Sequence, residues 1–269
     1  MKKVLLISSV VLGLCYSTTS VAFSEKNIDV YSQAMNKNIP VTVVLPEGYT
    51  EAKKYSTIYT LHGWSGNNRN YPEKTGLGKL ADKYGVIYVS PDGNYDSWYV
   101  DSELKKDSKY YTFVAKELVD YIDKHYATEP TKEQRAITGL SMGGFGALYI
   151  GIKNQHVFGQ IGSMSGGVNI EQFKNNWGIA AVVNDHWHDY NIKDLAHSLI
   201  FTKSQIIIDC GIDDFFIEPN RELHRKLLDL NIPHTYTEKP GGHTWAYWTD
   251  SIGQHTHFFT QHFAQHRTK

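Results

Sequence analysis

Cysteine is nearly absent: the chain has 2 in 269 residues, Cys15 in an apolar run near the N-terminus and Cys210 far along the chain. A disulfide-stapled scaffold is therefore excluded, and Cys210, which follows an apolar stretch, reads as an inert buried thiol. An excess of charge of one sign is missing too, with Lys+Arg 27 against Asp+Glu 28. Nothing basic is clustered, so nucleic acid is not expected as a partner. Long apolar runs are confined to the N-terminus, and none elsewhere is long enough to cross a membrane.

That N-terminal run has a specific shape. Lys2 and Lys3 precede the apolar stretch from Val4 to Leu14, and Ser20-Val21-Ala22 offers a small-x-small cleavage site before Phe23. This is the pattern of a secretory signal peptide, too short for a spanning helix. The expected organisation is a signal peptide over residues 1–22 and one α/β catalytic domain over 23–269, secreted or periplasmic, with no membrane partner after cleavage. The composition carries no signature of oligomeric state.

The rest of the chain is organised around Arg135 to Ile150, RAITGLSMGGFGALYI. Arg135 to Leu140 reads as a short buried strand, Gly139-Leu140-Ser141-Met142-Gly143 matches G-x-S-x-G, and a helix of small residues follows. This strand–sharp turn–helix context is what a nucleophile elbow requires, with the serine hydroxyl raised at the top of a sheet. Side chains at Gly139 or Gly143 would meet the neighbouring strand or helix. The elbow also sets the Met142 N–H at a helix N-terminus, where it can donate to an oxyanion.

Such a nucleophile needs a base, an orienting acid and a second oxyanion donor. The spacing predicts strands at Ile28–Tyr31, Ile39–Leu45, Tyr55–Leu61, Val86–Ser90, Phe158–Met164, Gln205–Asp209 and His234–Glu238. It predicts helices at Lys74–Tyr84, Lys109–Tyr126, Ile217–Leu230 and Trp245–Phe263. The third strand runs into His62-Gly63-Trp64-Ser65-Gly66, a glycine-bearing loop whose Trp64 N–H is the candidate second donor, with His62 structural. Asp213 and Asp214 both follow a strand and the nucleophile in chain order, as the Ser…Asp…His arrangement demands. His243, in Pro240-Gly241-Gly242-His243, sits between the last strand and the last helix and is the candidate base. His255, His257, His262 and His266 read as surface residues.

Trp98 and Tyr99 stand in an aromatic loop at a strand's C-terminal end, where open α/β sheets bind ligands. They are candidate pocket walls, the alternative being a loop pinned by its own aromatics. Trp245 joins them as a candidate for substrate binding. Between Val168 and Leu199 the strand–helix alternation breaks down, and this segment reads as an insertion over the site. Its His186-x-His188 pair, with Asp185 and Asp189 beside it, has no third well-spaced ligand and reads as a polar turn. No metal and no cofactor are expected.

Five segments in order, LHGWSGNN, VIYVSPDGNYDSWYVDS, GLSMGGFGAL, CGIDDFFIEPNRELH and PGGHTWAYW, resemble the esterase D–type carboxylesterases. This α/β-hydrolase family includes S-formylglutathione hydrolases, tributyrin and cinnamoyl (feruloyl) esterases and the mycolyl-transferring antigen 85 proteins. The resemblance runs from about Ile28 to the last helix and is strongest to bacterial short-chain acyl and cinnamoyl esterases. It implies an α/β-hydrolase fold, an eight-stranded mostly parallel sheet with helices on both faces. It implies Ser141 as nucleophile, His243 as base and Asp214, the fourth residue of G-x-x-D, as acid in preference to Asp213. The Trp64 and Met142 amides are the implied oxyanion donors, and a small-molecule ester is the implied substrate. The same acyl-enzyme would serve acyl transfer to a carbohydrate or other alcohol. A signal peptide departs from formylglutathione hydrolases, which are normally cytosolic. A binding module on an inactive hydrolase fold would lack part of the triad, and here every member is present.

Overall fold

Short runs of β-branched and aromatic residues pair into one sheet in the computed structural model, which describes residues 22–266. The eight strands are β1 (Ser24–Ser32), β2 (Lys37–Leu45), β3 (Thr57–Leu61), β4 (Ile87–Pro91), β5 (Arg135–Gly139), β6 (Gln160–Met164), β7 (Gln205–Gly211) and β8 (Thr235–Lys239). Their order across the sheet is β1-β2-β4-β3-β5-β6-β7-β8. The opening hairpin β1–β2 and the β2–β4 pair are antiparallel, and every later pair is parallel. This is the eight-stranded, mostly parallel α/β-hydrolase architecture expected from the sequence. The expected signal peptide lies outside the described residues except for Ala22; beside it the Phe23 N–H donates to Asp82 Oδ2 at 3.3 Å.

The central strands are buried on both faces, so their apolar residues serve two cores by alternation. On one face Ile206, Ile208, Ile137 and Val89 meet α2 (Leu118–His125), α3 (Met142–Lys153) and α4 (Ile217–Asp229). On the other, Ile207, Ala136, Tyr88 and Ile58 meet α1 (Leu77–Tyr84) and the long α5 (Trp245–Gln265). The helix expected over Lys74–Tyr84 is divided: Asn70–Lys74 forms a first turn, and α1 starts again after Gly76. The helix expected from Lys109 contains a π-helical stretch, Phe113–Glu117, before α2. The stretch from Val168 to Leu199 holds only short turns of helix, such as Ile179–Val182 and Ile192–Leu195.

Parallel strands point their C-terminal ends the same way, so the loops after β3, β4, β5, β7 and β8 gather on one edge of the sheet. That edge holds every residue singled out as a candidate for catalysis.

Candidate active site

β5 ends at Gly139 and α3 begins at Met142, which leaves Ser141 to make the whole reversal. Its φ of +55° and ψ of −118° lie in a region that L-residues avoid, a strain of roughly 1–3 kcal/mol held by the surrounding fold. The turn is tight enough that a Cβ on Gly143 would lie 2.0 Å from the Leu61 carbonyl oxygen, and one on Gly139 would lie 2.2 Å from that of Gly143. Only glycine permits this approach of backbone to backbone.

His243 comes from the loop between β8 and α5, and Asp214 from the turn after β7. His243 Nε2 is 2.9 Å from Ser141 Oγ. Its Nδ1 is 2.8 Å from Asp214 Oδ2 and 3.0 Å from Oδ1. Asp214 is buried, and its Oδ1 also accepts the Phe216 N–H at 2.9 Å. The neighbouring Asp213 is exposed, and its backbone N–H donates to Gly241 O at 3.0 Å. Of the two acids that chain order allows, the structure brings Asp214 to the imidazole. The bond order carboxylate–Nδ1, Nε2–hydroxyl can activate a nucleophile.

Two backbone N–H groups flank the serine. Those of Trp64 and Met142 have no acceptor among the described residues. The Trp64 loop is fixed from below by His62, which is buried as expected of a structural residue. Its Nδ1 donates to Gly63 O at 2.7 Å and its Nε2 accepts the Gly93 N–H at 2.7 Å, which sets the tautomer. Ser65 N–H adds a bond to Tyr95 O at 2.8 Å.

A cleft of about 320 Å³ opens over the serine. Its walls include Trp64, Trp177, Phe215, Trp245 and Trp248, with Asn70 and Lys74 at the rim. Trp177 stacks on Phe215 at 5.4 Å between centroids, and Phe215 lies 4.3 Å from the His243 ring. The Val168–Leu199 segment thus reaches the site through one tryptophan. Trp245 lines the cleft as expected, but Trp98 and Tyr99 do not. Both are fully buried: Trp98 Nε1 donates to Trp177 O at 3.0 Å, and Tyr99 OH donates to His62 O at 3.2 Å. They act as pins that fix the loops bearing the cleft walls. Trp177 belongs to the insertion expected over the site, whereas Phe215 and Trp248 are cleft walls that the sequence reading does not single out. The Phe-Phe after Asp214 and the Trp spacing at the start of α5 were the available signals.

Two other readings are settled by burial. The Cys210 thiol is buried and pushed well above its ordinary range, first by burial. His255, expected at the surface, is fully buried and bonded to Asp209 and Thr138; His257 and His266 are exposed and His262 is half-buried. No group of three or more His, Cys, Asp or Glu among the described residues is placed to hold a metal ion. His188 instead contacts Asp194, Nδ1 to Oδ2, at 3.0 Å.

The family model described as "Putative esterase" matches residues 32–259. An acetyl esterase of Caldicellulosiruptor saccharolyticus is 28% identical over 254 residues, covering 84% of this chain and 94% of that one. Among solved structures, a ferulic acid esterase superposes with a TM-score of 0.77 at 26% identity, over 90% of this chain and 99% of the other. A fluorophosphonate-binding serine hydrolase of Staphylococcus aureus superposes with a TM-score of 0.80 at 22% identity, over 89% of this chain and 99% of the other.

Proposed function

Since the chain belongs to this esterase family and is a carboxylic-ester hydrolase, we propose that it is a secreted serine esterase of short-chain or aromatic acyl esters, working through Ser141, His243 and Asp214. The observation that carries the reading is the unbroken line of contacts from Asp214 through His243 to Ser141 Oγ, at 2.8 and 2.9 Å, on a strained elbow that faces the cleft.

In the first step His243 Nε2 takes the Ser141 proton as Oγ attacks the ester carbonyl carbon. Asp214 holds Nδ1–H and stabilises the imidazolium that forms. The carbonyl oxygen becomes an oxyanion between the Trp64 and Met142 N–H groups, each donor worth roughly 10²–10³ in rate. Collapse expels the alcohol, which receives the proton from Nε2 and leaves an acyl-serine. Water then repeats the sequence, with His243 as base, and returns the free acid and Ser141. The aromatic walls suit a flat or small acyl group, and acetyl and feruloyl esters both belong to the class proposed.

The test is hydrolysis of p-nitrophenyl acetate, p-nitrophenyl butyrate and methyl ferulate by the mature protein beside Ser141→Ala. Turnover should fall by at least ~10³-fold in the variant, with the fold retained; activity preserved in Ser141→Ala would refute the nucleophile. The rank order of the esters chooses between short-chain and aromatic specificity, and added alcohol competing with water measures transfer. The reading of secretion rests on the signal-like N-terminal sequence, Lys2-Lys3, the apolar run and Ser20-Val21-Ala22. The mass of the exported protein should correspond to an N-terminus at Phe23.

A further inference from the structure

Below the cleft lies a second constellation of the same kinds of groups, and the proposed mechanism does not use it. Asp209 on β7 is buried; Ser251 Oγ donates to its Oδ1 at 3.0 Å, and His255 Nε2 lies 2.9 Å from its Oδ2. Ser251 and His255 both come from α5. The second ring nitrogen of His255, Nδ1, lies 2.8 Å from Thr138 Oγ1 on β5. Because β6 runs between β5 and β7, the imidazole must cross over β6. It does so at Gly162, where a Cβ would lie 2.5 Å from His255 Nδ1 and 2.7 Å from Thr138 Oγ1. The Tyr71 and Tyr247 phenols are raised well above the ordinary tyrosine range, first by burial and next by the Asp209 charge, so this carboxylate's field is felt across the interface with α5.

We propose that Asp209, His255 and Thr138 are positioning residues that hold the three triad-bearing segments in one fixed relation. Thr138 lies on the strand that ends in the Ser141 elbow. Asp209 lies on the strand whose exit turn carries Asp214. His255 and Ser251 lie on the helix whose entry loop carries His243. The bridge therefore joins, in the dry interior, the same three segments that meet again at the cleft. A buried carboxylate must keep its partners, because an unpaired charge in this setting is costly. Loss of the imidazole would let α5 slide on the sheet, and the His243 loop would move with it. A misplacement of ~1 Å at a reacting pair costs on the order of 10²-fold in rate. Several cleft walls, Trp64, Trp177 and Phe215 among them, stand on loops outside α5, so binding should suffer less than turnover.

This inference rests on the assignment of Ser141 and His243, and its test separates the two. His255→Leu, His255→Gln, Thr138→Val, Gly162→Ala and Ser141→Ala are compared by kcat and KM for p-nitrophenyl acetate, by the rate of phosphonylation with a fluorophosphonate, and by thermal midpoint. His255→Leu should lower kcat by ~30–100-fold with KM within ~threefold, and phosphonylation should slow by the same factor. In His255→Gln the side-chain amide can stand in for Nε2, and it should regain at least ~fivefold of the lost kcat. A folded His255→Leu with kcat within ~threefold of the parent overturns the proposal. If His255→Leu does not fold, Thr138→Val and Gly162→Ala decide. A fall of ~5–10-fold in kcat at constant KM supports the proposal, and kcat within ~twofold in both overturns it. Turnover retained in Ser141→Ala would instead sink the nucleophile assignment, whatever the other variants do.

Discussion

Two hydroxyl–imidazole–carboxylate lines stand among the described residues, and one of them opens onto the cleft. At the sheet edge Ser141 and the His243 side chain are 9% and 17% exposed; in the interior Thr138 and His255 are 0% and Asp209 is 1%. The ring is also reversed between them. The cleft imidazole gives Nδ1 to its carboxylate and Nε2 to the hydroxyl, whereas the buried one gives Nε2 to Asp209 and Nδ1 to Thr138. Residue types and distances are nearly the same in both. What differs is access, a strained elbow that lifts the hydroxyl, and a pair of N–H groups with no acceptor among the described residues. On the roles proposed, the same kinds of groups form a triad where they meet the cleft and a brace where they are buried.

The contrast can be broken most severely at its acid. Asp214→Asn keeps the shape but offers Nδ1 the wrong partner, and kcat should fall by ~10³–10⁴-fold, while the exposed Asp213→Asn stays within ~threefold. The reverse result would move the acid by one residue. Next comes the elbow, which the buried line lacks. Gly143→Ala drives a Cβ into the Leu61 carbonyl at 2.0 Å, and chemical denaturation should show a loss of about 3 kcal/mol or more. A stability unchanged by this substitution would contradict the close approach. The smallest effect sharpens the matter of access. Trp177→Ala opens one cleft wall and should raise KM for methyl ferulate by ~3–10-fold while leaving p-nitrophenyl acetate within ~twofold, because only the larger acyl group reaches that wall. Equal effects on both esters would place Trp177 outside the acyl subsite.

Much of this was legible in the chain itself. Short apolar runs gave the inner strands because both their faces are buried, and the elbow, the His62–Gly66 loop and the His243 loop each fell at a strand's C-terminal end. Ser141, His243, Asp214, Trp64, Met142 and Trp245 all come together at one edge. β1 was read too short because most of it is an exposed edge with little apolar pattern; pairing with β2 carries it back to Ser24. For Trp98 and Tyr99 the sequence leaves pocket wall and loop pin both open, because an aromatic in a loop at the binding edge can turn either way, and here both turn inward. The surface reading of His255 fails on helical spacing. Ser251, Ile252, His255, Thr256, Phe259 and Phe263 form one buried stripe of α5, and a histidine inside an apolar stripe at helical spacing requires a buried partner. Asp209 ends an otherwise apolar strand run, but nothing local reveals that α5 would supply its bonds.

The central claim is that Ser141 is the nucleophile of the exposed line. It is tested most directly by treating the mature protein with a fluorophosphonate and locating the adduct by peptide mass spectrometry. The account predicts one adduct, on the peptide that contains Ser141, and its loss in Ser141→Ala and in His243→Ala. An adduct on another residue, or labelling undiminished in Ser141→Ala, would contradict it.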